Sequence, residues 1–401
     1  MAQTVGAGTH NPGRIGEPSQ QSEVGRVMKK TLLSGSAIAG AALFAGPVAM
    51  PAVAATADVG DNFVVTIAGG YRFSVLAFDQ DVRTGNGRGY RFASDEAEII
   101  FSAGGVADNG LEYGFEMELH TQTDDTNNSD ETWAYLRGNW GEINLGDQDD
   151  AADRMAIGAE DAMPGRGGYD GAIGDVFSYP TPANAPVFTL QEASVTGDAS
   201  KITYFTPRFY GFQLGGSWTP DSGHHGGGAG NTDNDTDYEN VGSAGLNYSE
   251  DFNGFEVTVA ATYEFADEQE IAGASIGDAH RWQGGALVGY AGFQLGVSYG
   301  GADANIADTG WWTSVAANYS TGPWKVGGGY FFSQAENGSG GTAGGDTEVE
   351  IWTVGGNYQV APGMELASDV NFITADNITR TGGPDSDNDG TVFVFSTIFS
   401  F

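Results

Sequence analysis

The 401-residue chain contains no cysteine, which excludes disulfide staples, thiolate metal sites and cysteine nucleophiles. It is also poor in positive charge: 16 Lys and Arg stand against 53 Asp and Glu, a formal net charge of −37. Nucleic-acid binders gather Lys and Arg on one face, so this balance excludes nucleic acid as a partner. Beyond residue 55 no stretch approaches the ~20 consecutive apolar residues that a membrane helix needs. What is abundant narrows the field further. The 64 glycines are roughly twice the average share, and 23 Phe, 16 Tyr and 8 Trp are too many for a disordered chain. The length allows two or three domains or one large sheet, and glycine together with aromatics favours the sheet.

The first fifty-five residues read as an address. Met28-Lys29-Lys30 opens a basic patch, followed by an uncharged apolar run over 31–46 and by the small-residue stretch Ala52-Val53-Ala54-Ala55. Basic region, short apolar region and A-x-A site together describe a secretory signal peptide, cleaved near Ala54 or Ala55. A membrane anchor is the competing reading, but the apolar run is diluted by Gly and Ala. Residues 1–27 are a patternless extension. The domains are therefore 1–55, extension and signal peptide, and 56–401, the exported part. Removing 1–55 takes four basic and two acidic side chains and leaves a net charge of −39.

The exported part alternates. Phe293, Leu295, Val297 and Tyr299 interleave with Gln294, Gly296 and Ser298, and Leu111, Tyr113, Phe115, Met117 and Leu119 interleave with Glu112, Gly114, Glu116, Glu118 and His120. Successive strand side chains point to opposite faces, so one face is apolar and the other polar or minute. Sixteen such segments are predicted, at 63–78, 96–104, 111–122, 131–140, 142–147, 200–207, 212–219, 238–249, 255–265, 280–290, 293–300, 310–320, 324–334, 347–360, 364–375 and 391–401. Short connections carry turn chemistry, as at Asp108-Asn109-Gly110, Tyr210-Gly211, Asn253-Gly254, Ala291-Gly292, Gly322-Pro323 and Pro362-Gly363. They alternate with long, acidic, Gly-rich ones, as an up-and-down meander with unlike rims requires. A soluble β-sandwich also alternates, but Gly114, Gly296, Gly327 and Gly329 would leave holes in its core. In a transmembrane barrel the apolar face turns to lipid, those glycines face a water-filled lumen at little cost, and closure pairs every edge. The predicted fold class is an all-β, antiparallel, up-and-down transmembrane barrel of sixteen strands.

The last segment, Thr391-Val392-Phe393-Val394-Phe395-Ser396-Thr397-Ile398-Phe399-Ser400-Phe401, resembles the C-terminal signature of bacterial outer-membrane barrels. Ala134-Tyr135-Leu136-Arg137-Gly138-Asn139-Trp140-Gly141-Glu142-Ile143-Asn144-Leu145-Gly146-Asp147-Gln148 and Met163-Pro164-Gly165-Arg166-Gly167-Gly168 resemble the hairpin and the constriction-loop tip of the Gram-negative general porins. The resemblance implies a homotrimeric, non-enzymatic channel in the outer membrane whose third outer loop, here 148–199, folds into the lumen. Lipid, small hydrophilic solutes and cations are then the partners. The function this implies is passive diffusion, and the alternatives are a substrate-selective channel, for sugars for example, or a non-conducting structural barrel.

Porin function is a radius and a field, set by side chains at the narrowest point. The loop and the residue before it supply Asp147, Asp149, Asp150, Asp153, Glu160, Asp161, Asp170 and Asp175 against Arg154 and Arg166. On the wall, Arg72 faces Glu98, Glu112, Glu116, Glu118 and Thr132. Basic residues occupy the wall slots in the family, whereas Glu98, Thr132 and Asp147 stand there in this chain, which predicts cation preference. Strict alternation groups Asp147 with Ile143 and Leu145, so a lumenal Asp147 requires a bulge near Gly146. No resident cofactor is expected. Asp385-Ser386-Asp387-Asn388-Asp389-Gly390 copies half of a calcium loop but lacks the Glu at position twelve, leaving it and 231–237 as weak calcium candidates. His120 and His224-His225 lack a third ligand at recognisable spacing.

Overall fold

A computed structural model describes residues 55–58, 63–81, 88–121, 129–166, 168–171, 173, 176–177, 195–226, 238–267, 270–271, 274–275, 278–304, 310–335, 346–378 and 386–401. The strands are β1 (Ala55–Asp58), β2 (Phe63–Gln80), β3 (Tyr90–Val106), β4 (Glu112–His120), β5 (Thr132–Gly138), β6 (Gly141–Asp147), β7 (Ser200–Phe205), β8 (Phe212–Asp221), β9 (Glu239–Phe252) and β10 (Phe255–Asp267). They continue with β11 (Glu270–Ile271), β12 (Ala274–Ser275), β13 (Ala279–Tyr290), β14 (Phe293–Ala304), β15 (Gly310–Thr321), β16 (Trp324–Ala335), β17 (Thr347–Ala361), β18 (Met364–Ile378) and β19 (Ser386–Ser400). The hairpin β11–β12 stands apart, and β1 pairs with the first residues of β2. The other sixteen strands form one antiparallel ring in chain order, closed by β19 on β2 from Gly390↔Gln80 to Ser400↔Gly70. Beyond that ladder, the backbones of Gly69 and Phe401 exchange hydrogen bonds of 3.1 and 3.0 Å.

Each predicted segment is a strand. Two begin earlier than expected, for different reasons. Strand β3 starts at Tyr90, because its register on β2 slips between Arg72↔Glu96 and Phe73↔Ser94. Asp95 is the extra residue of that bulge, and one extra residue inverts the alternation that marks a strand in sequence. Strand β19 starts at Ser386, inside the stretch that copies half of a calcium loop. Asp387 and Asp389 fall on its exposed side and Asn388 on its buried side, so these side chains do not converge on one ion. The other calcium candidate, 231–237, lies outside the described residues.

Three two-residue hairpins have positive φ at both central positions: Tyr210-Gly211 (50° and 82°), Asn253-Gly254 (57° and 87°) and Ala291-Gly292 (50° and 87°). That conformation matches the twist of the flanking strands. Large exposed apolar side chains recur at alternate positions along the barrel strands, while the buried parity is mostly small or polar, with apolar exceptions such as Leu76, Trp312, Phe331 and Ile351. On β14, Phe293, Leu295, Val297 and Tyr299 are exposed while Gly296, Ser298 and Gly300 are buried. An exposed apolar face running round a closed ring is the outer surface of a barrel in hydrocarbon. Among the described residues no helix is long and apolar enough to cross a membrane; the crossing belongs to the strands.

Deleting Phe401 removes both bonds to Gly69, each worth about 1 kcal/mol in water and more where lipid leaves no substitute. The expected outcome is a lower urea midpoint for loss of the folded, heat-modifiable band on gels.

Candidate functional site: the charged inner face and the segment packed on it

On the buried face of β2–β4 the acids are densely set. Arg72 is paired across the strands with Glu96, their side chains 3.6 Å apart. Glu98 is paired with His120, whose Nε2 lies 3.9 Å from Glu98 Oε1 and 3.3 Å from Asp130 Oδ2. Glu118 is fully buried, and Glu112 and Glu116 are half-buried on the same face.

The segment after β6 packs against this same buried face elsewhere on the ring. It opens as helix α1 (Ala151–Met155), capped by Asp150, whose carboxylate accepts from the amides of Ala152 (2.7 Å) and Asp153 (3.1 Å). Thr196 donates to the second Asp150 oxygen at 3.1 Å. From there the chain bonds strand after strand. Ala151 N–H donates to Ser217 Oγ on β8, Ala159 N–H to Ser298 Oγ on β14, and Asn318 of β15 donates to Ala162 O. Gly165 exchanges two bonds with the Asn357 amide of β17, and Arg166 N–H donates to Asp369 of β18 at 2.6 Å. Gln80 of β2 donates to Val176 O.

Glycines make the approach possible. A Cβ on Gly285 would collide with the Ile157 carbonyl, one on Gly296 with Gly158 and Ala159, one on Gly215 or Gly245 with Met155, and one on Gly329 with Met163. Further along, Met163, Tyr169, Ile173 and Phe177 pack on Leu76, Trp312, Phe331, Ile351, Ile373 and Val394 in one buried apolar cluster. Tyr169 stacks on Phe331 with ring centroids 5.1 Å apart.

A model of the Gram-negative porin family matches residues 37–378. The chain belongs to that family. Among solved structures the porin is similar to the anion-selective porin from Comamonas acidovorans, with a TM-score of 0.60 and 16% identity over 84% of this chain and all of that one. It is also similar to the outer-membrane expressed OmpT of Vibrio cholerae, with a TM-score of 0.55 and 13% identity over 86% and 99% of the two chains. These likenesses are of fold. An uncharacterized protein of Rickettsia bellii (strain RML369-C) is 31% identical over 108 residues, 23% of this chain and 25% of that protein. The chain thus matches about a quarter of that relative's length. Family and fold make the protein an outer-membrane porin channel.

Within the porin, the wall residues Arg72, Glu98, Glu112, Glu116 and Glu118 share the buried face. Thr132 does not. It pairs with Met117 and Asp147 on the exposed parity, while its neighbours Glu131 and Trp133 point inward. Asp147 is likewise on the exposed parity, since the β5–β6 register runs unbroken and no bulge forms at Gly146. Its carboxylate accepts from Ser200 Oγ and from Gly226 N–H, tying two connections together.

The loop acids also divide. Asp149 (5% exposed) and Asp150 (0%) are buried, the latter as the cap. Asp149 joins Glu131 and Asp198 in a buried carboxylate group, beside Lys201, whose ammonium donates to the carbonyls of Gln148 and Gly197. Glu160 and Arg166 are buried, and the Arg166 backbone N–H donates to Asp369. Asp153 and Asp161 keep partial exposure. The Asp170 side chain and Asp175 lie outside the described residues.

Sequence reasoning missed a chain of charges on the wall. Arg137 lies 3.9 Å from Glu112 and 2.8 Å from Glu142, which in turn lies 3.9 Å from Arg154. Arg137 covers the Tyr135 ring at 4.8 Å and Arg154 the Phe205 ring at 4.6 Å, so both guanidiniums are held flat by cation–π contact. The available signal was parity, for Arg137 alternates in step with Trp133 and Tyr135. The inner glycines were misread too. Gly296 and Gly329 are the bed of the segment, and the space over Gly114 is filled by the Tyr135 hydroxyl.

Gly285→Val is expected to push the segment off β13 and lower single-channel conductance, while Gly284→Val leaves it unchanged. A Cβ at Gly284 has ordinary space. Planar-bilayer recording of the two variants checks this.

Proposed function

We propose that the porin is a homotrimeric, cation-preferring channel for passive diffusion of small hydrophilic solutes, with its third outer loop, 148–199, folded into the lumen as its constriction. The observation that carries the selectivity is the charge left partly exposed on the inner face. Glu112, Glu116, Glu142, Asp153 and Asp161 are half-buried, and the cations among them, Arg137 and Arg154, are both engaged with Glu142. A ring with this excess holds a negative potential that concentrates cations. The solved anion-selective porin of Comamonas acidovorans has a similar fold, so selectivity resides in side chains and not in the barrel. Diffusion requires no covalent step. The inner aromatics Trp133, Trp312 and Phe331 are buried, which argues against an aromatic slide for sugars.

Oligomerisation has support in strand length. β5, β6 and β7 have 7, 7 and 6 residues. Seven residues tilted by about 45° rise only about 16 Å, short of the ~25 Å apolar band of such barrels. A wall this low is best covered by protein, which supports a trimer contact on this side. The leader reading is also retained: cleavage near Ala54 or Ala55 would leave β1, Ala55–Asp58, beside the new N-terminus.

In a salt gradient the expected reversal potential has the sign of cation preference, with conductance in steps of three. The triple variant E116Q/D153N/D161N is expected to lower the cation-to-anion permeability ratio on the order of twofold. Anion preference in the unmutated channel, or an unchanged ratio in the variant, would falsify the selectivity reading.

A further inference from the structure

The pairing of β3 with β4 sets Glu98 opposite His120. Asp130 is drawn to the same place by its N–H, which donates to Glu118 O at 3.0 Å. One ligand atom from each of Glu98, His120 and Asp130 lies within 4.8 Å of the other two. Glu98 is 2% exposed, and neither of its carboxylate oxygens accepts a hydrogen bond among the described residues. A buried carboxylate in that state is costly unless a cation approaches it, and the imidazole is 3.9 Å away.

We propose that Glu98, His120 and Asp130 are ligands for a divalent first-row transition-metal ion of the zinc class. Bonds of about 2.1 Å in a tetrahedron put neighbouring ligand atoms about 3.4 Å apart. His120 Nε2 and Asp130 Oδ2 already stand at 3.3 Å and Glu98 Oε1 at 3.9 Å from the same nitrogen, close to that spacing. Two carboxylates neutralise the dication and the imidazole selects its type, because calcium and magnesium take oxygen ligands. The side chains of His120 and Asp130 keep 17% and 15% exposure, although Nε2 and the Glu98 oxygens are buried, so an ion enters only with a small shift of these side chains. No thiol in the chain competes for it. The other histidines of the exported part are His224, His225 and His280, and His280 Nδ1 is bonded to the Tyr263 hydroxyl at 2.9 Å.

The test is calorimetric titration of ZnCl2 into the folded, chelator-stripped porin in detergent. Saturable binding is expected. His120→Asn and Glu98→Gln should each weaken it at least about tenfold, whereas the double variant H224N/H225N and a tenfold excess of Ca2+ should change it little. A second measurement needs no variant: Zn2+ should protect His120 from diethyl pyrocarbonate, read by mass spectrometry. Absence of saturable binding, unchanged affinity in folded H120N or E98Q, equal displacement by Ca2+, or an unprotected His120 overturns the proposal.

Discussion

A backbone amide facing hydrocarbon can bond only to another backbone group, and that demand organises the molecule. Sixteen strands meet it by pairing on both sides, and the ring becomes complete where β19 lies along β2. Closure then fixes the rest. With every edge used, side-chain alternation is the remaining freedom, so apolar residues go out and small or polar ones go in. The rim turns are as tight as positive φ at Tyr210, Asn253 and Ala291 permits.

Inside, the space is not uniform. Toward β15–β19 and β2 the inner face carries an apolar cluster, on which Met163, Tyr169, Ile173 and Phe177 pack, beside buried polar residues such as Asn318 and Asp369. Toward β3–β6 it is charged and partly wet, with the chain from Glu112 through Arg137 and Glu142 to Arg154. The segment between β6 and β7 belongs to both regions. Glycines let it come close on one side, and its own acids are drawn in as caps and struts. Asp150 illustrates the cost of counting charge from sequence: its oxygens are committed to Ala152, Asp153 and Thr196.

The barrel was legible because period two is a local signal repeated sixteen times, and the β3 bulge at Asp95 shows how one added residue hides it. The site was legible only where parity sufficed. Arg72 and Glu118 lie on the inner face, as alternation requires, and so does Glu98, which the resemblance supplied, whereas Asp147 lies on the outer parity with Leu145. Thr132 failed because it was placed by family resemblance against its own parity. The meeting of Glu98 with His120 and Asp130 had no sequence signal, since it depends on inter-strand register and on where a connection returns. The meaning of the glycines was hidden for a related reason: what fills the space above Gly285 is a backbone more than a hundred residues earlier in the chain.

The bond between Gly69 and Phe401 also sets an order of events. The first barrel strand finds its partner in the sixteenth, so the loop that must close spans nearly the whole barrel. Contacts of such separation form late and slowly. Until β19 is in place, β2 from Gly70 to Gln80 lacks its ladder on that side, and no shorter intermediate is a closed barrel. The time before closure is therefore when this protein is most exposed to aggregation, a hazard that the closed barrel conceals.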